Sequence, residues 1–486
     1  MTAHAAATAD IARAALAAAD AAAPGRVWIV GGAIRDVLLG DLEPLDLDLA
    51  VDGDPAGVAK AVAEALNAPR FPLSDRFGGY RVTAAGGIQV DVMPLHPDGL
   101  DADLLRRDLT VNALALPLAA AHAWPQLDPA DVVDRVHGIA DLRSRVLRVC
   151  GPSSLTDDPL RVLRIARAVA GAPWTVDGET VRRAQHAAPG LHGVAGERIG
   201  AEIRAIVCGT RPLLGLELLS TLGGTAAVLP ELEALEGVEQ SGYHHLDVAG
   251  HTREVLGYTL ALEHSLDQFV DPDVAAATHA IHGREIAGGW TGAEVLRLGA
   301  LLHDIAKPRT RVWFEERRMI GFPNHDRVGR EMTGEILDRL RYPRKVIRMA
   351  QALTLHHLRL GFLVHAQPLD EAAVYGYLHT CEPVEVEVTV LGLADRLATR
   401  GRRAEPAIEA HADLTRLMLP RAVAWREAGG APTPLHDGDA LTSQLERPPG
   451  PWLADALEAQ RRARFIDPAL TPDAALDAAR AAADAR

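Results

Sequence analysis

Gly31-Gly32-Ala33-Ile34-Arg35-Asp36, followed by Leu-Asp-Leu-Asp-Leu-Ala-Val at Leu45 to Val51, is the stretch on which the reading of this chain turns. The apolar run Arg26 to Val30 (RVWIV) ends at the glycine pair and is followed by AIRDVLLG, the pattern of a strand, a tight turn and a helix. LDLDLAV alternates with period two, as a half-buried strand does, so Asp46 and Asp48 share one face. Two carboxylates so placed repel each other unless a cation neutralises them. Mg²⁺ takes oxygen ligands and bridges substrate phosphates, which makes the pair a platform for metal-assisted phosphoryl chemistry. The Gly31-Gly32 turn lets backbone N–H groups approach a triphosphate, with a helix N-terminus behind it. Asp91, in IQVDVMP, is a further acidic strand position able to complete a carboxylate triad. There is no GxxxxGK[ST], and GGAIRD is not GxGxxG, so neither a P-loop nor a dinucleotide fold is indicated.

Asp54 caps a helix with Pro55 in its first turn, running to about Leu66, and strands are expected near Gly79 to Ala84 and Ile88 to Met93. The segment to about Leu118 therefore reads as a small α/β domain. Met1 to Ala23 is alanine-rich but carries Asp10, Arg13 and Asp20, and reads as an amphipathic helix rather than a signal peptide. From Asp141 the pattern is helical almost throughout, with Arg161, Arg164 and Arg167 interleaved with Leu160, Leu163 and Ile165. Acidic and turn residues cluster from Pro230 to Gln240, a histidine-rich stretch follows to about residue 400, and PPGPW (Pro448 to Trp452) precedes a helical tail. The expected division is a helix over 1–25, a head over 26–140, a helical neck and body over 141–235, a metal-binding domain over 236–405 and a tail over 406–486.

A chain of 486 residues exceeds one core, and the scarcity of aromatics beside abundant alanine favours helices. The formal charge of −15 taken alone argues against nucleic-acid binding, yet a local basic face can sit on an acidic body. Arginine supplies almost all the positive charge and suits bidentate phosphate recognition. Cys150, Cys208 and Cys381 are too few and too scattered for a disulfide framework, so a reducing cytoplasm is the expected compartment. No run is long and apolar enough to cross a bilayer, and neither a membrane nor DNA is an expected partner. The oligomeric state is not legible.

GGAIRD followed by LDLDLAV resembles the head motif of class II tRNA nucleotidyltransferases and bacterial poly(A) polymerases, of the polymerase-β superfamily. Arg106-Arg107-Asp108-Leu109-Thr110-Val111-Asn112-Ala113 resembles that family's second motif, RRDFTINA, which distinguishes ribose and holds the triphosphate. Asp134, Gly138 and Asp141 resemble its hinge motif. Asp157-Asp158-Pro159-Leu160-Arg161 resembles EDxxR, whose acid and arginine offer Watson–Crick-like hydrogen bonds to the incoming base. Glu197-Arg198-Ile199 resembles the ERI of the fifth motif. The resemblance implies a polymerase-β-like α/β head followed by a mostly α-helical body. It also implies a Mg²⁺-dependent transfer of CMP and AMP from CTP and ATP to the tRNA 3′ end. Asp46, Asp48 and Asp91 would be catalytic, and Gly31, Gly32, Arg35, Arg107, Asp108, Asn112, Asp158, Arg161 and Arg164 would contact the nucleotide. Leu109 stands for the usual Phe and Asp157 for Glu, and Met93-Pro94-Leu95 stand where an arginine usually follows the third carboxylate. Full CCA, CC, A or poly(A) addition all stay open.

His251 in GHTREVL, His303-Asp304 in LGALLHDIAKP and Asp395 in GLADRL form a second constellation. Imidazole and carboxylate ligands suit Mn²⁺, Fe²⁺, Ni²⁺, Zn²⁺ or Mg²⁺. The set resembles the H…HD…D signature of HD-domain phosphohydrolases. His325 and the pair His356-His357 resemble the extra ligands of two-metal members, and Lys307 resembles a phosphate-holding lysine. An alternative of another class is therefore an HD phosphohydrolase whose head only binds RNA, against which intact Asp46 and Asp48 argue.

Overall fold

The computed structural model describes residues 3–41, 45–74, 78–402 and 404–485. They form two compact units, one of residues 1–194 with 209–227, the other of residues 195–208 with 228–486. Met1 and Thr2, at the start of the expected N-terminal helix, lie outside the described residues.

The first unit is built on a seven-stranded sheet. Its strands are β1 (Val27–Val30), β2 (Asp46–Val51), β3 (Arg70–Ser74), β4 (Gly79–Thr83), β5 (Gln89–Pro94), β6 (Leu114–Pro117) and β7 (Val133–Asp134). The spatial order is β3-β4-β5-β2-β1-β6-β7. Only β2 and β5 run parallel, and the other pairs are antiparallel. Helix α1 (Ala3–Ala22) precedes the sheet and α2 (Gly32–Leu38) follows β1; the parallel pair needs a long crossover, and helix α3 (Pro55–Leu66) lies within it. Asp54 caps α3 by accepting from Ala56 N at 3.0 Å, with Pro55 in the first turn and Asn67 in the left-handed conformation (φ 47°) closing the far end. Helix α1 (Ala3–Ala22) places Ala12, Ala15, Leu16 and Ala19 in the same core as Val58, Ala59 and Val62 of α3. This apolar layer covers Leu47, Leu49, Val51, Val90 and Val92, so the alternation of β2 sends Asp46 and Asp48 to the opposite face.

The sequence missed β3, β6 and β7. Arg70–Ser74 contains Pro72 and lies at the sheet edge, where proline is tolerated. The expected β4 and β5 are present within a residue or so of the expected bounds. Beyond the sheet, helices Arg161–Gly171, Gly178–Ala187 and Pro212–Thr221 complete this unit.

The second unit is almost wholly helical. Its centre is the helix Glu385–Ala398, which buries Val386, Val388, Val390, Leu391, Leu393 and Ala394 on all sides. Helices Val248–Ser265, Gly292–Leu302, Arg344–His356 and Ala404–Glu427 pack around it. Glu385 and Glu387 of the central helix are buried charges, and Arg426 compensates both, at 2.7 Å and 2.9 Å. Thr291 and Glu294 form a capping box at the start of Gly292–Leu302. The proline-rich interruption ends at Trp452, where the tail helix Trp452–Ile466 begins. No described helix is long and apolar enough to cross a membrane. The three cysteines are unpaired.

Candidate functional site

In the first unit the carboxylates converge on the open face of the sheet. Asp48 lies directly opposite Asp91 in the parallel β2–β5 pair and opposite Val30 on β1, immediately before the glycine turn. Gly31 has φ 86°, and a Cβ there would stand 3.2 Å from both Asp48 Oδ2 and Arg107 Nη1. Glycine is thus required by backbone conformation and by the crowding of an aspartate and an arginine against it. The Asp48 carboxyl, although open to solvent at its edge, is pushed up from the ordinary range, first by desolvation among its neighbours, while Arg107 pulls it down and Asp91 and Asp46 push it further up. A cation would relieve this repulsion, and an all-oxygen donor set suits Mg²⁺. Asp91 is held by Arg81 of β4 through two hydrogen bonds of 2.7 Å. The sequence reading did not single out Arg81, although its place opposite Asp91 follows from strand register.

The Arg106-to-Ala113 segment packs beside the turn. Arg35 donates to Asn112 Oδ1 at 2.6 Å, and Asn112 Nδ2 donates to Asp108 Oδ1 at 3.1 Å. Burial pushes Asp108 up, but Arg164, Asn112 and the Leu109 N–H outweigh it and hold the carboxyl below the usual range. Arg107 is paired with Asp103 at 3.0 Å. A cavity of about 330 Å³ is lined by Arg35, Asp36, Asp108, Asn112, Arg164, Arg167 and Trp174, so Arg167 and Trp174 join residues the sequence had selected. Arg161 does not line this cavity. Its Nη1 donates to the carbonyls of Arg106 (2.8 Å) and Ser154 (3.0 Å) and to Ser154 Oγ (3.0 Å), while its buried Nε has no hydrogen-bond partner. Asp158 lies three residues before Arg161, at which the helix Arg161–Gly171 begins, and its Oδ1 accepts from Leu160 N at 3.3 Å. Asp134 accepts from the N–H groups of Val136, Gly138 and Ile139. A Cβ on Gly138 would lie 2.1 Å from the Thr110 carbonyl, so the expected hinge residues fix a tight turn.

In the second unit Asp304 is the hub. Its Oδ2 lies 3.1 Å from His303 Nε2 and 3.6 Å from His251 Nε2, and His251 Nε2 lies 3.0 Å from Asp395 Oδ1. Its Oδ1 lies 3.4 Å from His325 Nε2 and 3.8 Å from His357 Nε2. Among the described residues, only His251-His303-Asp304 and Asp304-His325-His357 bring three ligand atoms within 4.8 Å of one another. His303, His325 and His357 each direct Nδ1 at the carbonyl three residues earlier, at 2.9, 2.7 and 2.7 Å, which turns Nε2 inward. A carbonyl accepting at Nδ1 fixes the ring's tautomer and leaves Nε2 as the nitrogen able to take a metal. Asp304 Oδ1 is buried without a hydrogen-bond partner, His303 Nε2 and His251 Nε2 face the same carboxylate, and the donor set fits divalent metal. Lys307 Nζ pairs with Asp304 Oδ2 at 2.6 Å and donates to Gln240 Oε1 at 2.6 Å.

Burial raises the Asp304 carboxyl, but His303 and Lys307 overcome it and hold the group well below the usual range. Burial and the neighbouring His303 and His325 push His357 down to about 3. His356 is not part of the cluster. It sits one residue, or about 100°, around the helix from His357, and its Nδ1 accepts from Arg359 at 2.8 Å. The sequence reading passed over His244, which packs edge-on against His251 at 4.8 Å. With Asp304, Asp395, Tyr243 and Arg396 it lines a cavity of about 350 Å³.

A polymerase-β-like sheet bearing outward carboxylates, in a chain that carries an HD-type histidine cluster in a separate helical unit, defines the class. The Poly A polymerase head domain family matches residues 27–96 and 89–148, and the HD domain family matches residues 248–400. The family described as "Probable RNA and SrmB- binding site of polymerase A" matches residues 175–235. The chain is 34% identical over 458 residues to the A-adding tRNA nucleotidyltransferase of Deinococcus radiodurans, spanning 93% of this chain and 94% of that one. It is 30% identical over 445 residues to the CC-adding tRNA nucleotidyltransferase of Thermus thermophilus, spanning 90% and 89%. The chain belongs to the tRNA nucleotidyltransferase family. Its fold is shared with the Thermotoga maritima CCA-adding enzyme solved with tRNA, at TM-score 0.60, 19% identity and coverage of 97% and 94%.

Proposed function

We propose that the chain adds CMP and AMP, from CTP and ATP, to the 3′ end of tRNA, completing or repairing the CCA end. The observation that carries this is the set Asp46, Asp48 and Asp91 on the open face beside Gly31 and Arg107. The RNA 3′-hydroxyl attacks the α-phosphate; the new P–O bond forms as the α–β bond breaks, pyrophosphate leaves, and the hydroxyl proton passes to solvent. Asp46 and Asp48 would hold Mg²⁺, which supplies charge neutralisation at the attacking and leaving oxygens when bound. Arg35 and Arg107 neutralise phosphate charge, while Asp108 and Asn112, locked to each other and to Arg35, orient the sugar. Asp158 and Arg161 read the base: the acid accepts from the exocyclic amine that cytosine and adenine share, and the arginine donates to a ring acceptor. Three bonds through Nη1 fix the guanidinium, which supports a preorganised reader.

The second unit binds divalent metal at Asp304, Mn²⁺, Fe²⁺, Ni²⁺, Zn²⁺ and Mg²⁺ being the ions that suit the donors. Phosphate-ester hydrolysis there is supported by the cavity adjoining the cluster. The five-segment division and a cytoplasmic location belong to the same reading. A second reading of the head, addition of the terminal A alone, is favoured by the 34% identity to an A-adding enzyme. The test supplies tRNA transcripts ending before CCA, after C and after CC, plus an unstructured RNA, with each labelled NTP singly and together. Incorporation of C and then A supports the full reading. A added only to the CC-ended transcript supports the second, and long A tails on unstructured RNA would identify a poly(A) polymerase instead.

A further inference from the structure

Between Lys307 and His325 the chain leaves the histidine cluster as a two-stranded hairpin, Val312–Phe314 paired with Met319–Gly321, and returns to it. Its root touches the metal-binding cluster. The Phe322 ring stands 5.3 Å from Lys307 Nζ and 6.5 Å from the His325 ring. Its strands, by contrast, carry uncovered apolar side chains. Trp313 is 52% exposed, Phe314 40% and Val312 37%. Of the seven tryptophans in the chain, Trp313 is the one left exposed. The register pairs Trp313 with Ile320 on one face, while Val312 and Phe314 occupy the other. A Cβ on Gly321 would lie 2.3 Å from the Phe314 ring, so glycine lets that ring close over the partner strand. A two-stranded ribbon cannot bury rings on both of its faces by itself. The surrounding charge selects what covers them. Arg311 is paired with Glu239 at 3.4 Å, and Arg309, Arg317 and Arg318 stand against Glu315 and Glu316, a small positive excess in a chain whose formal charge is −15. Exposed aromatic rings beside arginines are complementary to unpaired bases and their phosphates.

We propose that the hairpin Val312–Gly321 is a stacking platform for unpaired bases of an RNA strand, with Trp313 as its main ring and its root at the metal-binding cluster. The choice of RNA over another polyanion rests on the tRNA reading above. The test uses the full-length chain and fluorescence anisotropy with a labelled twelve-nucleotide single-stranded RNA ending in CCA, against a blunt duplex of the same sequence. Base-on-ring stacking predicts that Trp313→Ala weakens single-strand binding by roughly fivefold to a hundredfold. Trp313→Phe should keep affinity within about threefold, and the duplex should bind both variants as it binds the wild type. Arg317→Ala with Arg318→Ala should lower the salt dependence of single-strand binding by about one to two in slope. Unchanged single-strand affinity in Trp313→Ala overturns the platform. So does an unchanged affinity accompanied by a shift in oligomeric state, which would make this face a contact between copies. If the wild type extends tRNA yet does not bind the single strand, the platform fails alone. If it does neither, the nucleotidyltransferase reading fails with it.

Discussion

Replacing Asp304 by Asn keeps the shape of the side chain and removes the charge to which the second unit's cluster is tied. Asp304 is 2% exposed, and the Lys307 ammonium, itself 7% exposed, is 2.6 Å from its Oδ2. In Asp304→Asn that ammonium keeps only neutral amide oxygens, those of Gln240 and of the new side chain, and loses its counter-charge. Breaking one side of a buried pair costs about 3–5 kcal/mol, because the remaining charge is left in a poorly solvating interior. For a unit of this size about 2–4 °C of Tm accompanies each kcal/mol, so the unfolding of that unit should shift down by roughly 6 to 20 °C. The same substitution should empty the metal site. Asp304 offers Oδ2 to His251 and His303 and Oδ1 to His325 and His357, a layout for two ions with one shared carboxylate. Elemental analysis should therefore give up to two metal ions per wild-type chain, about one in His357→Ala and close to none in Asp304→Asn. Calorimetry with and without Mn²⁺ reads the stability arm, and metal should raise the wild-type transition but not that of Asp304→Asn. A Tm within about 2 °C of wild type together with undiminished metal would refute both the buried-pair argument and the hub assignment.

Asp46→Ala and Asp48→Ala should each lower nucleotide addition by at least about a hundredfold, with Tm unchanged or slightly raised, since the pair is repulsive without metal; near-normal incorporation by a folded variant would remove them from the catalytic centre. Arg426→Ala leaves Glu385 and Glu387, 2% and 1% exposed, without their shared cation, and thermal melts should show a loss of about 3–5 kcal/mol. His356 is held neutral, its pKa pushed down to about 4 first by burial and then by Arg359 and Arg330. The unfolded chain takes up that proton first as pH falls below about 6.5. Its contribution to stability is thus complete above that pH and is lost as pH falls toward about 4, amounting to about 3 kcal/mol. His356→Gln, which retains an acceptor for Arg359, should flatten urea-denaturation stability over that window, and an unaltered pH profile would contradict the assignment.

The sequence by itself determined what depends on local periodicity and on residue type. Period two alone puts Asp46 and Asp48 on one face, and Asp54-Pro55 marks the start of a helix whose bounds the structure repeats. The contexts of His251, His303-Asp304 and Asp395 announce a ligand set through their resemblance to the HD signature, and imidazole and carboxylate are the residue types a divalent metal takes. What the sequence could not determine depends on pairings between distant segments. Nothing local says that β2 and β5 lie side by side in parallel, which is what sets Asp91 beside Asp48 and Arg81 across from Asp91. Nor does composition show that Arg426 neutralises Glu385 and Glu387 from another helix. Of the adjacent histidines, both candidates by sequence, only His357 reaches Asp304, because a turn of about 100° per residue points His356 at Arg359 instead. Tertiary structure decided these points because each is a matter of direction and distance between elements, and a one-dimensional pattern carries neither.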